Sequence, residues 1–115
     1  MNMPLGRQGE EIAAAYLSDK GYTILARNYR CRRGELDIVC QKGAVVVFVE
    51  VKTRRSSLFG SPEEAITRTK MQHIRTTALA YLAENKPSCR ETRFDVVTVM
   101  LTGDDPQINH IEAAF

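Results

Sequence analysis

The sequence predicts an α/β protein in which helices pack on a mixed sheet. Three observations support this fold class: a helical apolar stripe near the start, three β-prone runs after it, and a second helical stripe followed by one or two further β-prone runs. Meandering strands flanked by helices favour a layered sandwich around one core. The length of 115 residues suits one such core, so we expect a single domain over residues 1–115.

The first helix and the first strand are predicted from residues 9–29. On a helical wheel of about 100° per residue, the apolar stripe within residues 9–20 consists of Ile12, Ala13, Tyr16 and Leu17. Gly21 follows the stripe, and a glycine at this position commonly ends a helix. Tyr22–Tyr29 is rich in β-branched and aromatic residues, which predicts a strand.

A hairpin is predicted next in the chain. Its strands are Glu35–Gln41 and Val45–Lys52, and the short turn between them contains Lys42 and Gly43. If Lys42 and Gly43 form a two-residue loop, Gln41 pairs with Ala44. An error of one residue in this loop would move the side chains of one strand to the opposite face of the sheet.

The second half of the chain predicts a helix and then one or two strands. Residues 61–64 (Ser-Pro-Glu-Glu) resemble a helix start, with serine at the cap and proline in the first turn. This helix should end before Pro87, and its apolar face consists of Ile66, Ile74, Ala78, Tyr81 and Leu82. Arg93–Leu101 is strongly β-prone, and Gln107–Ile111 predicts a short last strand.

The composition indicates a globular protein outside the membrane. Hydrophobic residues make up 43% and charged residues 26% of the chain, and the longest uncharged apolar run, Ala44–Val49, is far too short to cross a bilayer. No secretory signal is recognised. The three cysteines have no Cys-x-x-Cys spacing, which argues against a disulfide framework or a zinc site. We therefore expect a cytoplasmic protein.

The most informative segment is Val45–Arg55, because an apolar strand ends there in two charged residues. Glu50 and Lys52 are two positions apart, so in a strand they share one face with Val46 and Phe48. Buried charges are costly unless they are paired or bind a charged ligand. The segment therefore marks a candidate site, for which a simple salt bridge is the alternative explanation.

The hairpin adds a second carboxylate to this face. With the loop at Lys42-Gly43, Glu35 comes opposite Glu50 and Asp37 becomes its diagonal neighbour, about 7 to 8 Å away. Neighbouring acids repel each other unless a cation lies between them. Because all the ligands are oxygens, the pattern favours Mg²⁺ or Mn²⁺. Such an ion supports phosphodiester hydrolysis, and Lys52 would position or deprotonate the attacking water or stabilise charge on the phosphate.

Other residues are weaker candidates. Glu10 lies at the edge of the first helix's apolar stripe, where it is either an outer metal ligand or an acid favoured by the helix dipole. Lys70 interrupts the second apolar face and either extends to solvent or reaches a phosphate. Asp95 is interpreted as a strand-edge acid, with support of the site as the alternative. His73 and His110 are expected to be surface or structural residues.

Basic residues cluster next to these elements. Arg27, Arg30, Arg32 and Arg33 fall within one seven-residue stretch, and Arg54 and Arg55 follow the strand that carries Glu50. Such clustering suits a polyanion, whereas a solvated arginine-rich loop is the alternative. The formal net charge of +2 is too small to decide between them.

Two signatures relate the chain to known proteins. Asp37 followed by Glu50-Val51-Lys52 resembles the PD-(D/E)xK signature of restriction-endonuclease-like proteins, although Leu36 replaces its proline. A second resemblance covers nearly the whole chain and is to the YraN family of uncharacterised bacterial proteins. The blocks that carry it are Gly6-Arg7-x-Gly-Glu10, Tyr22–Arg30, Gly34–Asp37, Phe48–Arg54, Phe59-Gly60, Lys70 and Arg93–Val96.

This resemblance implies a restriction-endonuclease-like core of helix, three strands, helix and strand, related to Holliday-junction resolvases. It implies Glu10, Asp37, Glu50 and Lys52 as site residues, with Asp37, Glu50 and Glu10 as metal ligands. Our leading hypothesis is a Mg²⁺- or Mn²⁺-dependent nuclease acting on DNA, on branched or single-stranded forms in particular, with a homodimer compatible with such substrates. Its expected nucleic-acid contacts are Arg30, Arg32, Arg33, Arg54 and Lys70. The alternatives are a catalytically inactive nucleic-acid-binding module of the same fold and a structural or partner-binding domain.

Overall fold

The structure, a computed structural model that describes residues 3–55 and 66–115, contains two helices and five strands. In chain order they are α1 (Leu5–Asp19), β1 (Thr23–Cys31), β2 (Gly34–Lys42), β3 (Val45–Arg54), α2 (Arg68–Asn85), β4 (Glu91–Met100) and β5 (Gln107–Ile111). This order of helix, three strands, helix and strands is the one predicted from the sequence. In the part of the chain that the structure describes, neither helix is long and apolar enough to span a membrane.

All five strands form one sheet in the order of the chain. Strands β3 and β4 are parallel, whereas the other neighbours are antiparallel, so the predicted mixed sheet is confirmed. The parallel pair is possible because the segment containing α2 connects the end of β3 to the start of β4. The fold is therefore a mixed α/β architecture compatible with a restriction-endonuclease-like core.

One helix packs on each face of the sheet, as alternation along the strands requires. On the α1 face, a core cluster joins Ala13, Ala14 and Leu17 to Ile38, Cys40, Val47, Val49, Val97 and Val99. On the α2 face, a second cluster joins Ile74, Ala78 and Tyr81 to Leu36, Val39, Val46 and Phe48. Because β3 contributes Val47 to one cluster and Val46 to the other, it is buried on both faces, which explains its nearly continuous apolar sequence.

The hairpin loop lies one residue later in the chain than predicted. Lys42 pairs with Val45, so the two-residue loop is Gly43-Ala44 rather than Lys42-Gly43. Gly43 adopts a positive φ of 60° at the first loop position, where a type II′ turn favours glycine. Continued beyond the last observed pair, this register places Asp37, not Glu35, opposite Glu50. The prediction that Asp37 and Glu50 share a face is unaffected, because the pairing moves by two residues.

The helix ends also refine the predictions. The predicted helix start at residues 61–64 lies outside the described residues, and α2 begins at Arg68 behind Thr67, whose hydroxyl accepts a hydrogen bond from the Lys70 amide at 3.1 Å. Ile66 therefore precedes the helix instead of belonging to its apolar face, although it is buried. Helix α2 ends at Asn85, before Pro87 as predicted, and Gly21 follows α1 with a φ of 95°.

Asp95 is wholly buried on the α1 face of the sheet. This burial corrects its interpretation as a strand-edge acid. It also separates Asp95 from Glu50, which lies on the opposite face. The Asp95 carboxylate accepts hydrogen bonds from Arg93 at 2.8 and 2.9 Å and from the Ala113 amide at 3.0 Å, and it lies 2.7 Å from His110 Nε2. Burial raises the pKa of Asp95, but the bonds to His110 and Arg93 outweigh burial and lower it overall. His110 is thus structural, as expected, and anchors β5.

Replacing Gly9 by alanine should destabilise the protein because α1 meets β3 there. A Cβ on Gly9 would overlap Thr53 Oγ1 and lie 2.8 Å from its Cβ and Cγ2. We expect Gly9→Ala to lower the free energy of unfolding by about 1–3 kcal/mol, and Thr53→Ala in the same chain to restore part of the loss. Urea denaturation measures both. Gly6→Ala is the matched control, because its Cβ has open space and helix propensity predicts a gain of up to about 1 kcal/mol. Equal effects at the two glycines would contradict the close approach.

Asp95→Asn should remove a buried ion pair. At pH 7 we expect a loss of about 3 kcal/mol in the free energy of unfolding, because Arg93 keeps its charge without its partner. Since the folded-state pKa of Asp95 is depressed, its contribution is present above about pH 4 and is lost as the pH falls through the folded-state pKa. The difference between variant and wild type should therefore shrink in acid. Glu112→Gln, at the exposed partner of Arg93, should change stability by less than about 1 kcal/mol; a similar loss there would refute this assignment.

Candidate active site

The candidate site lies where β2 and β3 separate. Their ladder ends at the pair Ile38–Val49, whereas β3 remains paired with β4 as far as Arg54–Met100. Beyond the last pair, the Val51 amide no longer bonds to a β2 carbonyl and instead donates to Asp37 Oδ2 at 2.8 Å. We call this point, beyond the pair Ile38–Val49, the fork between β2 and β3. It holds a carboxylate where the ladder of hydrogen bonds would otherwise continue.

Glu50 is buried at this fork with its charge compensated by two lysines. Only 6% of its side chain is exposed, and its Oε1 lies 3.4 Å from Lys52 Nζ and 2.5 Å from Lys70 Nζ. The sequence predicted that Glu50 and Lys52 share a face and allowed a salt bridge between them, which is observed. It did not predict the ion pair with Lys70, because that contact depends on how α2 docks.

Asp37, Glu50 and Lys70 face one pocket of about 370 Å³. Its walls also contain Gly34, Glu35, Thr67, Thr69, His73 and Ile74. Gly34 lies close to α2, since a Cβ there would come 2.9 Å from Thr77 Oγ1. The pocket therefore lies between the start of α2 and the fork, and its polar atoms come from three elements.

The ionisable groups of the pocket perturb one another. Burial, and next the charge of Glu50, raise the pKa of Asp37 to about 7, although the hydrogen bond from the Val51 amide opposes the shift. Burial, and next the neighbouring Lys70, lower the pKa of Lys52. Burial alone would lower the pKa of Lys70, but its hydrogen bond and charge interaction with Glu50 raise it overall. Two carboxylates held together in this way are destabilising unless a cation lies beside them.

Glu10 lies in an adjacent pocket on the other side of Asn28. This second pocket, of about 460 Å³, is lined by Pro4, Gly6, Arg7, Glu10, Asn28, Arg30 and Glu35. In the amide orientation that satisfies both partners, Asn28 Nδ2 donates to Glu10 Oε1 at 3.0 Å and to Glu35 Oε1 at 3.1 Å. Asn28 therefore links the first helix to the edge of the site, although the charge of Glu10 still contributes to the raised pKa of Asp37.

Asn28 is a site residue that the sequence analysis missed. It has a φ of 53°, and the β1–β2 pairing omits it at the position opposite Asp37. Asparagine tolerates the left-handed conformation better than other residues with a side chain, so an asparagine inside a predicted strand was the available signal. Its left-handed conformation lies within β1 beside Asp37, and its amide is turned toward Glu10.

The two carboxylates at the fork fit a hard divalent cation. Among residues 3–55 and 66–115, no three or more His, Cys, Asp or Glu side chains form a group that could hold a metal ion, so Glu10 does not complete a three-residue ligand set with Asp37 and Glu50. Magnesium, however, is commonly held by one or two protein carboxylates, with waters and substrate phosphates completing its coordination. Asp37 and Glu50 meet that requirement on their own.

The predicted basic residues are divided among three environments. Arg30, Arg32 and Arg33 line an open hollow of about 410 Å³ around the β1–β2 turn, which shares Glu35 with both pockets. Arg27, in contrast, pairs with Glu11 at 3.0 Å and faces α1. Arg54 donates to the Thr53 carbonyl at 3.1 Å. The exposed basic surface next to the site is therefore the β1–β2 turn.

Fold and site together define a class: a mixed α/β protein whose core is compatible with the restriction-endonuclease-like arrangement and whose acids and lysines converge at a strand fork. Within that class, the chain belongs to the uncharacterised protein family UPF0102, whose model matches residues 9–99. This is the YraN family that the sequence resembles. The matched range includes Glu10, Asp37, Glu50, Lys52 and Lys70.

Relatives with the same family name match over nearly their whole length. The UPF0102 protein of Syntrophomonas wolfei is 51% identical over 115 residues, which is 100% of both chains. The UPF0102 protein of Nocardia farcinica is 52% identical over 96% of this chain and 88% of its own, and that of Geobacter metallireducens is 46% identical over 99% and 93%.

Asp37→Asn should stabilise the protein at alkaline pH. Because the pKa of Asp37 is raised to about 7 in the folded state, wild-type stability should fall as the pH rises from about 4 to 7, where only the unfolded chain releases this proton. Asparagine keeps an oxygen for the Val51 amide and removes the charge. We expect Asp37→Asn to be more stable by on the order of 2 kcal/mol at pH 8, with the difference vanishing near pH 4.

Thermal unfolding between pH 4 and pH 8 measures this difference. Glu35→Gln is the matched control, because Glu35 lines the same pocket but is exposed and pairs with Arg30 at 3.4 Å. As an exposed ion-pair partner, Glu35→Gln should change the stability by less than about 1 kcal/mol. A variant Asp37→Asn that is less stable than wild type at pH 8 would show that the Asp37 carboxylate is not under electrostatic strain.

Proposed function

We propose that this protein is a metal-dependent nuclease that hydrolyses phosphodiester bonds of DNA, with branched or single-stranded forms as preferred substrates. The observation that carries the proposal is the fork at which β2 and β3 hold Asp37 and Glu50 on one face of an open pocket that Lys70 also lines, with Lys52 paired to Glu50. Acids forced together at a cost to stability are typical of functional sites. The DNA preference comes from the resemblance to resolvase-like proteins.

Each group has a role that follows from its environment. Asp37 and Glu50 would hold Mg²⁺ or Mn²⁺, which when bound polarises a phosphoryl oxygen and lowers the pKa of water. Lys52 is nearly buried and its pKa is lowered, so its amine can accept a proton from the attacking water. Lys70 is more exposed and can pair with a phosphate oxygen. Glu10, linked to the site through Asn28, supports it from the adjacent pocket.

The β1–β2 turn supplies a surface for the rest of the substrate. Arg30, Arg32 and Arg33 flank the open hollow that adjoins Glu35, next to the pocket of Asp37. Positive side chains in such a position attract a phosphate backbone without selecting a sequence. We include Arg54 as a further phosphate contact because it follows Glu50 and Lys52 on β3.

A cytoplasmic location and a homodimer belong to the same proposal. The three cysteines are free thiols, as is usual in a reducing compartment. A two-fold dimer would offer one site to each of two strands in a branched substrate.

Cleavage assays with defined substrates test the enzyme directly. With Mg²⁺ or Mn²⁺, we expect the wild type to cut at least one of four labelled forms: duplex DNA, single-stranded DNA, a four-way junction or RNA. Lys52→Gln should slow cleavage by roughly 10²–10⁴-fold, the range of general-base contributions. Asp37→Asn with Glu50→Gln should abolish it. The exposed acid Glu112, on the other face of the molecule, provides the control variant Glu112→Gln, which should cut like wild type.

The same substrates separate the alternatives. Failure of the wild type to cut any form above the level of the double variant would eliminate the nuclease. Salt-sensitive DNA binding that survives Glu50→Gln but is lost when Arg30, Arg32 and Arg33 are neutralised would then identify a nucleic-acid-binding module.

A further inference from the structure

Lys70 occupies a position that a bound cation needs. Its ammonium contacts Glu50 Oε1 more closely than Lys52 does, at 2.5 Å against 3.4 Å. It also faces the pocket that contains Asp37. A cation held by Asp37 and Glu50 would therefore lie beside Lys70, and the two would repel each other.

The charges of the fork make this competition strong. Asp37 and Glu50 carry at most two negative charges, and Lys52 and Lys70 carry two positive charges when protonated. With both lysines in place, the fork has no excess negative charge to attract a divalent ion. At least one ammonium must move away or lose its proton before the pocket favours a metal, and movement of Lys70 removes the charge nearest to Glu50.

Lys70 is the lysine that is free to move. Its side chain is 44% exposed, whereas that of Lys52 is 12% exposed on β3, which is paired along this stretch with β4. The backbone of Lys70 is held by the Thr67 cap, so the ammonium can leave Glu50 by rotation of its side chain without movement of α2. Rotation carries it toward the open pocket, where the substrate phosphate would lie.

We propose that Lys70 is a two-position counterion: it neutralises Glu50 in the empty protein, and it transfers to a substrate phosphate oxygen when metal and nucleic acid bind together. This inference rests on the proposed nuclease function, because it uses the same pocket. It assigns Lys70 a regulatory effect in addition to phosphate contact. Metal binding without substrate is opposed by Lys70, and binding of substrate removes that opposition.

The proposal predicts opposite effects of one substitution on two ligands. Lys70→Gln removes the competing charge, so Mn²⁺ alone should bind roughly tenfold more tightly in isothermal titration calorimetry. The same variant should bind a short single-stranded DNA several-fold more weakly in fluorescence anisotropy with Ca²⁺ in place of Mn²⁺, because one phosphate contact is lost, roughly as expected for one ion pair. Lys70→Arg keeps the charge and should bind Mn²⁺ like wild type.

Arg68→Gln provides the matched control. It removes one positive charge from the same turn of α2, at an exposed residue that does not line the pocket. Its Mn²⁺ affinity should stay within about twofold of wild type, since screening weakens the effect of a distant exposed charge. Equal tightening in Arg68→Gln and Lys70→Gln would show a general charge effect and overturn the proposal.

The outcomes distinguish this inference from the proposed function. In one outcome, wild type binds Mn²⁺ and the double variant Asp37→Asn with Glu50→Gln does not. If Lys70→Gln then binds Mn²⁺ no more tightly than wild type, only the counterion role fails. Unchanged DNA affinity in Lys70→Gln would likewise refute transfer to the phosphate. If wild type binds no Mn²⁺, with or without the DNA, both the inference and the metal-dependent nuclease fail. Circular dichroism of each variant confirms that it is folded.

Discussion

The separation of β2 from β3 is the constraint on which the candidate site depends. A β-ladder satisfies its backbone groups pairwise, and where it stops, the freed groups need other partners. At this fork the partner of the Val51 amide is the Asp37 carboxylate. Because β3 continues alongside β4, Glu50 and Lys52 remain on a rigid, buried strand while Asp37 approaches from β2. The backbone thus holds two acids near each other that would otherwise repel and move apart.

Asp95 and Asp37 show how differently the two faces of the sheet surround a carboxylate. Asp95 receives hydrogen bonds from Arg93 and the Ala113 amide and contacts His110, and these partners lower its pKa despite complete burial. Burial and the neighbouring charge of Glu50 raise the pKa of Asp37, and among the described residues its hydrogen-bond donor is the Val51 amide. The first arrangement stabilises the fold. The second holds Asp37 and Glu50 against one pocket, which is the physical reason for proposing metal chemistry at one face and not the other.

Local sequence patterns were sufficient to predict the helices and strands, but they predicted only some of the contacts within the site. Periodicity was sufficient to place Glu50 and Lys52 on the same face, and it predicted β5 with the bounds that are observed. The hairpin loop was wrong by one step, because a glycine can occupy either central position of a two-residue loop. Three-dimensional packing decided the rest: the ion pair between Lys70 and Glu50 requires α2 to dock, and the burial of Asp95 requires partners from the C-terminal segment.

The site also depends on how closely α1 approaches the sheet. Gly9 packs against the Thr53 side chain of β3 without room for a side chain of its own, and Glu10 follows it directly. The close approach places Glu10 beside Asn28, which has a left-handed conformation opposite Asp37. The packed helix, the left-handed residue of the edge strand and the fork between central strands therefore meet in one region. A left-handed asparagine and an open fork both depart from regular β-pairing, and such departures concentrate at functional sites, which is why we propose a function for this region.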